Sequence, residues 1–243
     1  MPFREQNLLA QETNMRSCQF VHRFNHHFIL LLLILICSPA FASAEDKPEK
    51  CANNLGSPIE NFCVVTPDVL WRGARPDKEG AAWLIGHGIR TIVNLELILD
   101  DKSALSQAVV PDDNTYEVNY FSVRDWEPLP IIAPSVTDDH VAHFLAITKD
   151  QPKPVYVHCR SGMNRTGVMV AAYRVIIEGV KEEQAIEEMG RYNGQWFEAD
   201  AKYIRSLSPE RQKEIRDKIS EWMPKLKKEA QVICKNGKCS FID

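Results

Sequence analysis

The sequence predicts an α/β fold, a mostly parallel central sheet flanked by helices on both faces. Three observations predict it. Short β-branched runs alternate with stretches of helical spacing along most of the chain. Residues 154–158 (PVYVH) are apolar enough for a strand buried on both faces, the place of a central strand in a parallel sheet. The segment HCRSGMNRTG at 158–167 then leads that strand straight into the helical pattern of GVMVAAYRVII at 167–177.

Taken in order, residues 1–44 read as a signal peptide. The apolar run FILLLLILIC at 28–37 follows Arg16 and Arg23 and precedes SPAFASA, where Ala42 and Ala44 form a small-x-small cleavage pattern. The run is about half the roughly twenty residues that a membrane span needs. Membrane contact is therefore expected only through this segment, if it stays uncleaved. Residues 45–63, polar and holding Pro48, Asn53, Asn54 and Pro58, read as an extended leader.

One domain is expected over 64–224. A strand at 64–72 passes Pro76 into a helix at 77–86, opened by Asp77 and Lys78 and ended by Gly86 and Gly88. TIVNLEL at 91–97 is the next strand, and a polar loop with Pro111 leads to a third at 116–123. The helix at 135–148 turns Val141, Phe144 and Leu145 inward. Strand 154–158 follows, then helices at 166–178, 181–192 and 209–222, the last capped by Ser208. Residues 225–243 form a C-terminal tail.

Composition permits one ordinary enzyme domain: of 243 residues, 44% are hydrophobic and 26% charged, which supplies a sizeable core. The formal net charge of −4 argues against a general nucleic-acid partner, which normally needs a basic face. His140 and His143 beside Asp138 and Asp139 fit a helix start better than a metal site, so neither metal nor cofactor is expected. The lysines at 225, 227 and 228 read as a solvated helix face.

Cleavage after Ala44 leaves Cys51, Cys63, Cys159, Cys234 and Cys239. Export to an oxidising compartment favours disulfides. Four cysteines other than Cys159 allow three pairings. CKNGKC favours Cys234 with Cys239, because Asn-Gly is a strong two-residue hairpin turn. Cys51 then pairs with Cys63, each bond stapling one end of the domain and neither touching catalysis directly.

The chemistry concentrates at 158–167. A loop between a strand and a helix turns backbone N–H groups inward and adds the positive end of the helix dipole, a cradle for a dianion. A cysteine attacks as thiolate, and donors, a helix N-terminus and a cation all favour that form; Cys159 gains all three and is expected to be exposed. Five intervening residues let the loop wrap one tetrahedral oxyanion and bring Arg165 back with its two-pronged guanidinium. Arg160, Ser161, Gly162, Met163 and Asn164 line that wrap, and Gly162 permits the close approach of the main chain. Thr166 is placed to hydrogen-bond the sulfur. A cysteine nucleophile also needs an acid for the leaving oxygen and then a base for water. Asp125 is the candidate, because it follows a strand and precedes the loop-like WEPLP at 126–130. Asp100, Asp101, Asp112 and Asp113 fall in polar stretches and are ranked below it.

The run from His158 to Thr166 matches H-C-x-x-G-x-x-R-[ST], and on it the chain resembles the protein tyrosine phosphatase superfamily, in its compact dual-specificity form. LWRGARP at 70–76 and WLIGHGIRTIVNLE at 83–96 are similar to the opening of small bacterial and plant-like members. The resemblance implies a dual-specificity phosphatase-like fold with Cys159 as nucleophile, Arg165 as phosphate clamp, Asp125 as acid and base, Thr166 as the hydroxyl beside the clamp, and His158 tuning the loop from behind. The implied reaction is phosphomonoester hydrolysis through a phosphocysteine, on a phosphorylated protein or a small phosphate ester such as an inositol phosphate. A rhodanese-like sulfurtransferase is disfavoured, since by the same comparison its loop is shorter by one residue. An inactive phosphate-binding module is disfavoured because nucleophile, clamp, hydroxyl and acid are all present. Arg160 is expected at the pocket mouth, and Arg72 or Arg75 at a second phosphate. Gln195 and Trp196 are candidate lining residues, with core packing the favoured reading for the tryptophan.

Overall fold

The structure is a computed structural model that describes residues 51–111, 113–123, 136–192 and 197–243. Among them are the strands β1 (Cys63–Thr66), β2 (Leu70–Ala74), β3 (Thr91–Asn94), β4 (Tyr116–Ser122), β5 (Val155–Cys159), β6 (Ala230–Lys235) and β7 (Lys238–Ile242). They form one sheet in the order β1-β2-β5-β3-β4-β6-β7. The central four are parallel, as the sequence predicts, and antiparallel strands extend both edges.

Helices α1 (Lys78–Gly86) and α2 (Lys102–Ser106) precede β4; α3 (Asp138–Asp150) precedes β5. After β5 come α4 (Asn164–Ile176), α5 (Glu182–Gly190), α6 (Phe197–Arg205) and α7 (Pro209–Trp222). Strand alternation sorts the core into two layers. Val155, Val157 and Cys159 of β5 join the cluster under α3 to α7, while Tyr156 joins Leu84 and Ile85 of α1 on the other face. Phe144 of α3 is fully buried in the layer under α3 to α7, so trimming it to alanine costs about 3–5 kcal/mol.

Differences from the sequence reading have local causes. The single strand expected at 64–72 is a hairpin: Val69 N–H donates to the Thr66 carbonyl at 3.1 Å, across a turn holding Pro67 and Asp68, the latter at φ 57°. The strand expected to reach residue 97 stops at Asn94, whose side-chain oxygen accepts from Glu96 N–H at 2.7 Å and turns the chain. Helices α2 and α6 are additions. The Asn236-Gly237 turn forms with both residues at positive φ, 50° and 76°, as a type I′ hairpin requires. That hairpin also pairs with β4 through β6, so it completes the sheet. The sulfurs of Cys234 and Cys239, and of Cys51 and Cys63, lie at bonding distance. His140 closes a capping box with Thr137 at the start of α3, and His143 stacks on Trp222, so both have packing roles.

Candidate active site

Cys159 ends β5 opposite Ala74 of β2, at the carboxyl edge of the parallel strands where ligands bind such sheets. Its neighbours on either side are central strands, so the side chain lies on the floor of the loop at 2% exposure. The expectation of an exposed thiol is corrected accordingly: a central strand has no open flank, and the sulfur lies beneath the loop at the end of β5.

The shape of that loop follows from three hydrogen bonds made by its outer side. The Arg160 carbonyl accepts from Arg75 N–H at 3.4 Å, the Ser161 carbonyl from Asn61 Nδ2 at 2.8 Å, and the Gly162 carbonyl from Arg72 Nη2. In a trans peptide the N–H points opposite to its C=O. With three successive carbonyls tied outward, the N–H groups of Ser161, Gly162 and Met163 face the interior of the loop. Gly162 sits at φ +69°, and a Cβ there would overlap the Gly73 carbonyl and Ala74 nitrogen. Only glycine fits.

Helix α4 begins at Asn164 with no side-chain cap from Met163. Caps do close α1, α3 and α7, through Asp77, Thr137 and Ser208. The positive end of the α4 dipole therefore points at the loop. Arg165 is buried in that turn, and its Nη1 donates to the Leu95 carbonyl at 2.9 Å, just past β3. One prong of the fork is thereby fixed. Thr166 is fully buried, and its hydroxyl makes no hydrogen bond among the described residues. The expected bond from Thr166 to the sulfur is not formed: the hydroxyl rides on the first turn of α4, and the side chain reaches no acceptor there.

Behind the loop, His158 Nε2 lies 2.8 Å from Asp101 Oδ2, and neither side chain is exposed. Asp101 precedes α2 but does not cap it, because its carboxylate is turned to His158 instead. Tyr120 donates its hydroxyl to the same oxygen at 3.1 Å and accepts from Asn94 Nδ2 at 2.9 Å. Burial first, and the Asp101 charge second, push the Tyr120 pKa far up, so it stays a donor. Sequence reasoning named His158 and missed its partner, having placed Asp101 in a polar stretch.

Arg72 is also corrected. It does not reach a second phosphate; it is 1% exposed beneath the loop, with its guanidinium 3.6 Å from the centroid of the Tyr192 ring. Burial lowers its pKa, against opposing contributions led by Tyr192 and Cys159. Strand β2 is internal, and its inward face points at the loop rather than at solvent. Arg75 is partly exposed and lies 3.5 Å from Glu96, and Arg160 is exposed. Ser161 and Met163 are half-buried. Asp125, Gln195 and Trp196 lie outside the described residues. Asn61 was missed altogether, since residues 45–63 read as a mere leader.

A family model described as "DSP-PTPase phosphatase fused to NAD+ Kinase" matches residues 60–206. The chain is 31% identical over 156 residues to the dual specificity protein phosphatase TpbA of Pseudomonas aeruginosa, covering 63% of this chain and 59% of the relative. It is 34% identical over 109 residues to the human RNA/RNP complex-1-interacting phosphatase, covering 39% and 33%. The chain thus spans about three-fifths of the length of TpbA and a third of the human protein. Among solved structures, that of TpbA matches at TM-score 0.48 with 25% identity, over 63% of this chain and 86% of that one. The core catalytic domain of the PP-IP phosphatase SIW14 from S. cerevisiae matches at TM-score 0.53 with 19% identity, over 69% and 96%, a likeness of fold alone.

Proposed function

The chain belongs to the DSP-PTPase phosphatase family, and from that membership we propose that it hydrolyses phosphomonoesters through a phosphocysteine on Cys159, with dual-specificity protein phosphatase activity toward phosphotyrosine. The observation that carries this reading is the outward tethering of the Arg160, Ser161 and Gly162 carbonyls, which turns their peptide N–H groups onto the space above Cys159. A tetrahedral dianion is the ligand that such a ring of donors fits.

In the first step the Cys159 thiolate attacks phosphorus, the bond to the leaving oxygen breaks, and an acid supplies that oxygen with a proton. In the second, water attacks the phosphocysteine, gives its proton to the same group, and frees phosphate and the thiolate. Arg165 holds two equatorial oxygens throughout. Asp125 is proposed as the acid and base, from its place after β4 and before the proline-rich 126–130 segment. The exposed Arg160 at the loop favours a second reading, a small polyanionic ester such as an inositol phosphate.

Export is part of the proposal. The signal-like residues 1–44 and the two cysteine pairs at bonding distance support a secreted or periplasmic protein with both disulfides closed. The test is a purified-protein assay over phosphotyrosine peptides, phosphoinositides and inositol polyphosphates, with and without chelator. Turnover of phosphotyrosine peptides that is lost in Cys159→Ser and slowed by orders of magnitude in Asp125→Asn is expected. Chelator-sensitive turnover that survives Cys159→Ser would reject the mechanism, and a preference for inositol polyphosphates would select the second reading.

A further inference from the structure

A cavity of about 620 Å³ opens at the end of the sheet opposite Cys159. Val69, just before β2, and Lys153, just before β5, mark the amino ends of these two parallel strands, whereas their carboxyl ends carry Ala74 and Cys159. The walls are the last turn of α3, the end of α4 and one side of α7. Ile177, 45% exposed, and the half-buried Val69 give them an apolar surface, backed by the buried Leu145, Tyr173 and Ile219. An exposed isoleucine beside an apolar hollow is surface that a ligand could remove from water.

The polar lining has one sign. Lys149, Lys153, Lys213 and Arg216 stand against a single acid, Asp217. Lys213 pairs with Asp217 at 2.8 Å. Among the described residues the other three cations have no acid partner: the Lys153 amine donates to the Lys149 carbonyl at 3.0 Å, and Arg216 to the Ile176 carbonyl at 3.4 Å. The whole chain is net acidic at −4, so this cluster is a local inversion of its charge.

Size, apolar surface and charge each restrict the occupant. The volume falls within the roughly 300–1,000 Å³ of small-molecule sites. A phosphate or other compact anion would leave the apolar walls uncovered, and a neutral hydrocarbon would leave three cations unpaired. We propose that this cavity is a second ligand site for an anionic amphiphile, a free aliphatic monocarboxylate whose chain lies along Leu145, Tyr173 and Ile177 and whose head meets Lys149, Lys153 and Arg216. Helix α4 links the two sites physically: Asn164 and Arg165 begin it in the phosphate loop, and Tyr173 lies in its final turn beside the cavity.

The test is calorimetric titration of the full-length protein with dodecanoate, below its micelle concentration, against dodecyltrimethylammonium and acetate as controls. Saturable one-to-one binding of dodecanoate alone is expected, weakened at least tenfold by Lys149→Glu/Arg216→Glu and, separately, by Ile177→Asp. Both variants should turn over a phosphate ester at the wild-type rate, which shows that they are folded. Cys159→Ser should bind dodecanoate normally, so the site stands or falls independently of the proposed reaction. Equal binding of the cationic amphiphile, unchanged affinity in both variants, or binding only to anionic vesicles with none to free dodecanoate would overturn the proposal.

Discussion

Asp101 and His158 are 57 residues apart in sequence and meet at 2.8 Å with neither side chain exposed to solvent. The residue after His158 is Cys159, so this contact fixes the backbone that presents the sulfur. A buried carboxylate and imidazole hold each other tightly, because removing one leaves the other unpaired in a medium that solvates it poorly. We therefore expect Asp101→Asn to lower kcat by roughly a hundredfold, the effect of a displacement of about 1 Å at a reacting group. KM should change little. The rate at which iodoacetamide alkylates Cys159 should fall with kcat; a loss of thermal stability with both rates intact would leave Asp101 a purely structural residue.

The leader is the less expected support of the site. Asn61 donates to the Ser161 carbonyl, the Glu60 carbonyl accepts from Ala74 N–H at 2.9 Å, and the Cys63 sulfur lies at bonding distance from that of Cys51. Cys51 and Cys63, whose sulfurs lie at bonding distance, flank the segment that carries Asn61, a link to the loop that is indirect. Asn61→Ala should weaken phosphate or vanadate binding by roughly three- to tenfold, the worth of one hydrogen bond of about 1 kcal/mol. Asn61→Asp, which loses the donor and adds a negative charge beside the loop, should bind more weakly still in a competition titration. Binding at wild-type strength in both would contradict the role.

Gly162→Ala tests the loop conformation directly. The added Cβ meets backbone atoms of Gly73 and Ala74, which cannot move without disturbing β2, and the φ of +69° is strained for alanine. Expected are a loss of about 1–3 kcal/mol in urea unfolding and a fall in kcat/KM larger than that of Asn61→Ala. Wild-type kinetics would mean the loop is not held as described.

Asp200 on α6 is buried, and burial alone raises its pKa from 3.8 to about 7. The sign follows from proton counting. Between pH 4 and 7 the folded protein holds a proton that the unfolded chain has lost, so this residue's contribution is greatest below pH 4 and declines up to about pH 7. The decline is on the order of 4 kcal/mol for a shift of about three units. Asp200→Asn should flatten the stability profile across that window and raise the Tm at pH 8. A parallel profile for the variant would show that Asp200 is ionised in the folded state.

How legible the molecule was depended on the range of each interaction. Cys159, Gly162 and Arg165 could be read because one short segment holds them. Asp77, Ser208 and the Asn236-Gly237 turn act on their own neighbours, and all three do what the sequence implies. Asp101, Arg72 and Asn61 lie 57, 90 and 100 residues from the groups they bind. No periodicity announces such pairs; they exist only once β2, β3 and β5 are adjacent. Helix α2, five residues long, is shorter than two turns and leaves no periodic trace. The edge pairing of β6 with β4 was hidden because a hairpin signal says where the chain turns and not what its outer strand meets.

Turnover as proposed passes through a phosphoryl group on Cys159. Rapid acid quenching of the enzyme with a phosphotyrosine peptide, followed by mass spectrometry of the peptide containing residues 158–165, tests it most directly. A phosphoryl group on Cys159, appearing within the first turnover and accumulating further in Asp125→Asn, is the predicted result. Steady release of phosphate with Cys159 unmodified at every time point would contradict it.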